Sequence, residues 1–327
     1  MLKEVIEVED VSNAISEYRP SLKANTVNQY ERQLMKLKKD FNSNNFDFLN
    51  DIQKVEDHLK MKHYTTRRNV YNSVIMLLLA LNSNNKYDDL IKKYQEIRDK
   101  LNEKYVEDQQ SNTISEKQKN NFVSLDELKD MLKTMEKVIK SNGIVQKDFI
   151  SPQDKELMMV NLIYNMLIEV PTRNDMADMK LITNTMFNKI DKDKGNYIVK
   201  GKNMMTMVLN DYKTNGKYGE KKIELSKDLQ KKINRYNKVV KVKNGEALFT
   251  SSSGRPYTRN EISQILLKNS KKYLDGKSIG STMVRKIVVS DKFGPDSELH
   301  KLKSEQAELA DKMGHSVATQ EMVYSKK

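Results

Sequence analysis

The 327-residue sequence predicts a mainly α protein with a small antiparallel β-sheet, arranged as two domains. Three observations lead there. Long stretches carry apolar residues at helical spacing. Three short strand-like segments sit together between residues 196 and 225, with turn residues beside them. From residue 108 the apolar periodicity gives way to polar side chains, which marks an interdomain linker. The division is therefore a helical domain over 1–107, a linker over 108–121 and a second domain over 122–327. Each is long enough for its own core.

In the first domain, Val27, Tyr30, Leu34, Leu37 and Phe41 step by 3 or 4, an amphipathic helix. Thr66 is the expected cap of the next helix, whose apolar side is Val70, Val74, Leu77, Leu78 and Leu81. A third helix runs through Leu90, Tyr94, Ile97, Leu101 and Tyr105. Its outer face carries Lys92, Lys93, Arg98, Lys100 and Lys104, and Arg67 and Arg68 open the helix before it. Such cations suit a phosphate backbone; for any one of them, a solvated basic face explains the residue equally well.

Ser124 and Glu127 form a capping box that opens the second domain, with Leu125, Leu128, Leu132 and Met135 continuing the helix. Residues 155–170 are apolar nearly all round, as in a buried central helix. Pro171 ends it, and Arg173 is expected to open another. Strands are expected at Asn196–Lys200, Met205–Tyr212 and Lys221–Leu225, with Asn215-Gly216 and Tyr218-Gly219 turning between the last two. Thr258 with Glu261 caps a further helix. Ser278–Phe293 and Glu298–Met313 read as helices, and Ser316 caps a short one that carries Val317, Gln320 and Tyr324 on one face.

Composition narrows the partner. The 58 Lys+Arg against 45 Asp+Glu give a formal net charge of +13, which favours a polyanion. Without cysteine there is neither a disulfide framework nor a thiolate metal site. His58 and His63 are five residues apart, wrong for one helical face, so no zinc is expected. No apolar run approaches the roughly 20 residues that span a bilayer. The opening Met1-Leu2-Lys3-Glu4 does not look like a signal peptide. The expectation is a soluble intracellular protein without a membrane partner.

Four basic residues stand where the backbone changes direction or a hairpin is exposed: Arg173, Lys213, Arg285 and His315. Paired guanidiniums suit two non-bridging phosphate oxygens and offset the charge that builds in a phosphorane. A lysine can hand a proton to a leaving alkoxide. A tyrosine, Tyr324, follows His315 by nine residues, and a phenol beside an imidazole suggests a phosphodiester nucleophile.

In the order Arg, Lys, Arg, His, Tyr the chain resembles the tyrosine recombinase, or phage-integrase, family. The likeness rests on Val170-Pro171-Thr172-Arg173, Tyr212-Lys213-Thr214, Thr282-Met283-Val284-Arg285, Met313-Gly314-His315-Ser316 and Tyr324. Leu248-Phe249 and Gly254-Arg255-Pro256-Tyr257-Thr258 are similar to the stretch that precedes the family's second arginine. The likeness spans residues 122–327 by motif and looks most like the recombinases of large eukaryotic DNA viruses and related mobile elements. There are two departures. Thr282, with Ser281 beside it, stands where the family commonly has histidine; these hydroxyls can contact a phosphate oxygen but are poor bases. Only three residues follow Tyr324, so any exchange of segments between subunits would use the Tyr324 helix or another surface.

The resemblance implies a helical core-binding domain plus a tyrosine-recombinase catalytic domain, closing on double-stranded DNA. Arg67, Arg68, Lys92, Lys93 and Lys286 are the expected DNA contacts. Arg173, Arg285 and His315 would hold the scissile phosphate, Tyr324 would attack it, and Lys213 would protonate the leaving 5′-oxygen, with Lys217 and Lys221 as substitutes. No cofactor is implied, neither ATP nor metal. The assembly implied is a homo-tetramer on two paired sites, monomeric or dimeric when free, acting wherever the target DNA lies, a host nucleus or viral factory if viral. Type IB topoisomerases use similar residues without pairing sites, telomere resolvases make hairpin ends, and a DNA-binding scaffold that has lost chemistry is the remaining alternative.

Overall fold

The computed structural model describes residues 6–110, 116–190, 195–294, 297–313 and 316–319. Two of the expected site residues, His315 and Tyr324, lie outside them. The chain divides into two compact units, Met1–Ile114 and Ser115–Lys327.

The first unit is helical: α1 (Val11–Tyr18), α2 (Ala24–Asp40), α3 (Ile52–Leu59), α4 (Tyr64–Ala80) and α5 (Asp88–Gln110). α4 packs against α1, α2 and α5, and its Val70, Val74, Leu77 and Leu78 are buried among Leu34, Leu37 and Tyr94. Each such side chain contributes about 1.5–3 kcal/mol by leaving water. Tyr94 satisfies its hydroxyl by donating to Leu49 O at 2.8 Å. The cap of α4 is His63, not Thr66. The His63 ring accepts from the Thr65 N–H, and the Thr66 N–H already donates to His63 O at 2.9 Å, so Thr66 lies inside the first turn. α5 continues to Gln110, beyond residue 107.

The second unit opens with α6 (Glu116–Lys119), α7 (Leu125–Ser141) and α8 (Pro152–Glu169). The Ser124/Glu127 capping box is formed. Ser151 caps α8 through the Asp154 N–H, and Pro152 fills the first position, where no N–H is needed. α8 packs against α7, α11 (Lys227–Val240) and α13 (Ser281–Phe293). It buries Met158, Val160, Leu162, Ile163, Tyr164, Met166 and Leu167, as expected of a helix that is apolar all round.

The sheet has order β1-β2-β3-β4, with β1 (Lys180–Thr183), β2 (Asn196–Lys200), β3 (Met205–Leu209) and β4 (Lys221–Glu224). α9 (Asn184–Phe187) follows β1, and α10 (Asn215–Tyr218) separates β3 from β4. The three expected strands pair antiparallel. β1 is a strand the sequence did not announce; it adds to β2 in parallel, with Leu181 opposite Ile198, so the sheet is mixed. Both faces are covered. Leu181, Ile198, Met205, Met207 and Leu209 face the main core. Ile182, Tyr197, Val199 and Val208 face a smaller cluster with Phe187, as the period of two requires. Gly219 turns the chain into β4 at φ 65°, ψ −160°, a conformation open to glycine.

α12 (Arg259–Tyr273) starts at the Thr258/Glu261 capping box. α13 begins at Ser281, behind Gly280, rather than at Ser278. α14 (Glu298–Lys312) and, after Ser316, the turn α15 (Val317–Thr319) complete the described chain. Among the described residues no helix is long and apolar enough to cross a membrane.

Candidate active site

The rigid element under the site is α8. It stops because Pro171 carries no N–H and disfavours helical backbone at Val170. The segment Pro171–Arg173 then runs without helix, and Arg173 does not open one. A turn over 174–178 leads into β1, closed by Ala177 N–H to Asn174 O at 3.1 Å and Met179 N–H to Met176 O at 3.2 Å. Side chains explain the departure. Met176, Ala177 and Met179 are drawn into the main core, and Asn174 Nδ2 donates to Arg259 O (2.9 Å) and Ser263 Oγ (2.6 Å) on α12. Arg173 itself is exposed.

Arg285 is the fifth residue of α13. Val284, Ile287 and Val288 bury that helix in the main core. Arg285 Nε donates to Pro171 O at 3.1 Å. The second arginine of the expected set is thus tied, across 114 positions of sequence, to a carbonyl two residues before the first. The bond uses Nε and leaves the two terminal nitrogens for another acceptor.

Ser281 is buried and Thr282 exposed in the first turn of α13. With Gly280 as its N-cap, that helix has no side-chain cap, so its first N–H groups face the neighbouring space. A cavity of about 260 Å³ lies there, lined by Gln118, Ser263, Ser281, Thr282 and Lys286 among others. Lys286 is half-buried and donates to Gln118 Oε1 at 2.8 Å, an uncharged partner that leaves its charge in place.

Lys213 is exposed in the turn between β3 and α10, four residues past the end of the strand rather than on it. Tyr212 beside it is buried, with its hydroxyl donating to Gly219 O at 2.7 Å. The two substitutes are differently engaged. Lys217 Nζ lies over the Tyr218 ring at 5.2 Å, and Lys221 Nζ lies over Tyr212 at 4.9 Å and Tyr218 at 5.4 Å. These cation–π contacts hold both ammonium groups against their own hairpin.

The turn after Arg173 and the segment before Lys213 are joined by one buried amide. Asn196 Nδ2 donates to Asp175 O (2.7 Å) and Asp211 O (2.9 Å), while Oδ1 accepts from Asn210 N–H and Asp211 N–H, both at 2.9 Å. Arg259, the first residue of α12, closes the same junction. Its Nη2 donates to Asp211 Oδ2 (2.7 Å) and Asp211 O (2.8 Å) and stands 3.8 Å from Asp175 Oδ1. Burial pushes the Asp175 carboxyl up, opposed by the Arg259 charge. Sequence reasoning missed Arg259 and Asn196. One signal was there for Arg259: a cation in the first turn of a helix opposes the helix dipole and implies acidic partners elsewhere.

In the first unit, Lys92 and Lys93 are exposed on α5. Arg67 is half-buried. Arg68 is engaged within the unit: its guanidinium stacks 3.9 Å from the Tyr105 ring centroid and donates to Asn102 Oδ1 at 3.2 Å. Among the described residues, no group of three or more His, Asp or Glu side chains is arranged to hold a metal ion.

No family model and no curated protein matches the chain. Among the solved structures similar to it are two recombinases. One is a crystal structure of XerA recombinase, with TM-score 0.34 and 12% identity over 97% of this chain and 94% of that one. The other is XerH site-specific recombinase bound to its difH substrate in a pre-cleavage complex, with TM-score 0.40 and 14% identity over 99% and 96%. Both likenesses are distant.

Proposed function

We propose that the chain is a tyrosine-type site-specific DNA recombinase or integrase, working through a 3′-phosphotyrosyl intermediate. The observation that carries the reading is the hydrogen bond from Arg285 to Pro171 O. It sets the second guanidinium against the segment that presents the first and keeps its terminal nitrogens for an acceptor outside the protein. Two such groups neutralise a phosphodiester and the added charge of its pentavalent transition state. Electrostatic stabilisation of this kind usually contributes more to catalysis than any other single effect.

Double-stranded DNA is the substrate. Lys92, Lys93, Arg67, Arg68 and Lys286 supply backbone contacts, with Ser281 and Thr282 donating at the start of α13. Arg173, Arg285 and His315 hold the scissile phosphate. The Tyr324 oxygen attacks phosphorus as the P–O5′ bond breaks; Lys213 passes a proton to the departing 5′-oxygen. The paired arginines favour the phenolate, and the phenol passes its proton to the His315 imidazole or to water as the nucleophile forms. A 5′-hydroxyl from a second duplex reverses the step and releases Tyr324. The phosphodiester energy is kept in the protein–DNA bond, so this sequence of steps consumes no ATP. A tetramer on two sites has surface to draw on: Val289 and Phe293 of α13 and Leu302 and Leu309 of α14 are large, apolar and exposed.

A nicked suicide duplex tests the reading. The wild-type protein should accumulate a covalent adduct, and Tyr324→Phe should bind the duplex but form none. An undiminished adduct yield from Tyr324→Phe would mean the wrong nucleophile is named.

A further inference from the structure

We infer that Arg259 is a positioning residue for the proton donor: it acts through Asp211 to hold the Lys213 turn against the Arg173 turn. The inference rests on the function proposed above and concerns a residue that function does not use.

The geometry is specific. Arg259 sits in the first turn of α12, where a cation works against the helix dipole, and its only ion-pair partners among the described residues are Asp211 and Asp175. Asp211 is two residues before Lys213; Asp175 is two residues after Arg173. One guanidinium therefore bridges the chain segments that bear the first arginine and the lysine. Asp211 is fixed at three points: its N–H by Asn196 Oδ1, its carbonyl by Asn196 Nδ2 and Arg259, and its carboxylate by Arg259. From Asp211 to the α10 turn the chain is anchored further at buried Tyr212, whose hydroxyl donates to Gly219 O and whose carbonyl accepts from the Asn215 N–H at 3.1 Å, while Lys213 is exposed. Asn196 alone leaves the Asp211 carboxylate unrestrained. Arg259 adds that restraint and ties it to α12, which Asn174 pins to the other turn. The α12 start, the Arg173 turn and the Lys213 turn thus form a closed loop of hydrogen bonds. Arg259 is the member that reads both carboxylates. Its work is to fix where the Lys213 ammonium can reach, not to touch DNA.

The test separates proton donation from binding and folding. Adduct formation is followed on two suicide duplexes that differ at one atom. One carries the normal 5′-oxygen; the other has sulfur in the bridging position, and sulfur departs without being protonated. Arg259→Ala and Asp211→Asn should each slow the oxygen duplex by about 10²-fold, the scale of a misplaced catalytic group. Both should be restored to within a few-fold of wild type on the sulfur duplex. The double variant should be no slower than Arg259→Ala, because removing the guanidinium already removes the contact that Asp211→Asn weakens. Lys213→Ala should behave in the same way, and duplex affinity should stay unchanged. Arg259→Lys, which keeps the charge but not the fork, should fall between. Equal slowing of both duplexes, or no slowing of the oxygen duplex by either Arg259→Ala or Asp211→Asn, would overturn the inference while the wild-type adduct still upheld the reaction. If the wild-type protein formed no adduct on either duplex, reaction and inference would fall together. Asp211→Asn leaves α12 and its cap unaltered, so it decides the matter should Arg259→Ala not fold.

Discussion

The hydroxyl oxygen of Tyr164 lies 2.7 Å from the carbonyl oxygen of Ile279. It also lies 3.0 Å from Leu266 O. A single buried phenol on α8 thereby fixes both the middle of α12 and the residue just ahead of the α13 N-cap. Burial raises its pKa above the ordinary phenol value, so it remains a donor.

Tyr164→Phe removes that donor and keeps the ring. The one hydroxyl hydrogen shared between Ile279 O and Leu266 O is then lost, at a cost of about 1–3 kcal/mol. Urea unfolding should show the loss as a lower midpoint with an unchanged slope. A midpoint equal to wild type would mean that α12 and α13 do not depend on the bond.

Glu261 gives a stability signature that depends on pH. Arg255 donates to it at 2.5 and 3.1 Å, and the Thr258 N–H at 2.8 Å. The Arg255 hydrogen bonds, then the capping contacts, hold its pKa down from 4.5 to about 2. The folded value lies below the unfolded one, so the stabilisation is complete above about pH 4.5 and disappears as pH falls towards 2. The stability gap between wild type and Glu261→Gln, from urea titrations at several pH values, should be constant near neutrality and close across that window. A gap that held at pH 2 would refute the pairing. Glutamine preserves the capping-box acceptor, so the comparison isolates the charge.

Lys92 and Lys93 bear on the DNA face. If each neutralises one phosphate, replacement by alanine should lower the slope of log affinity against log salt by about 1 per residue, uniformly across sequences. Fluorescence anisotropy on two unrelated duplexes at several salt concentrations measures it. An unaltered slope would move the DNA to another face of the first unit.

Much of the framework was legible in the chain. The apolar steps of α2, α4 and α5 and both capping boxes depend on residues three or four apart, a range over which a sequence reports its own structure. β2 matched end to end because turn residues bracket it. What was not legible is long in range or short in length. α1 and α3 have eight residues each, about two turns, too few to show a period. β1 has four, and its Leu181 and Ile182 are buried on opposite faces, so no alternation with polar residues appears. The helix expected at Arg173 fails because Asn174 bonds α12 across 85 positions. Within the site, Arg173, Lys213 and Arg285 could be singled out by chemistry and spacing. The bonds that join their segments could not, since the side chains of Asn196 and Arg259 have hydrogen-bond partners 14 to 48 residues away.

The carboxamide of Asn196 presents two hydrogens to two carbonyls and one oxygen to two N–H groups. That makes it a two-ended adaptor without a natural substitute. Aspartate would point a negative oxygen at both carbonyls, serine would fall short of them, and glutamine would overshoot by a methylene. A designer who transplants the sheet must carry this amide along with it.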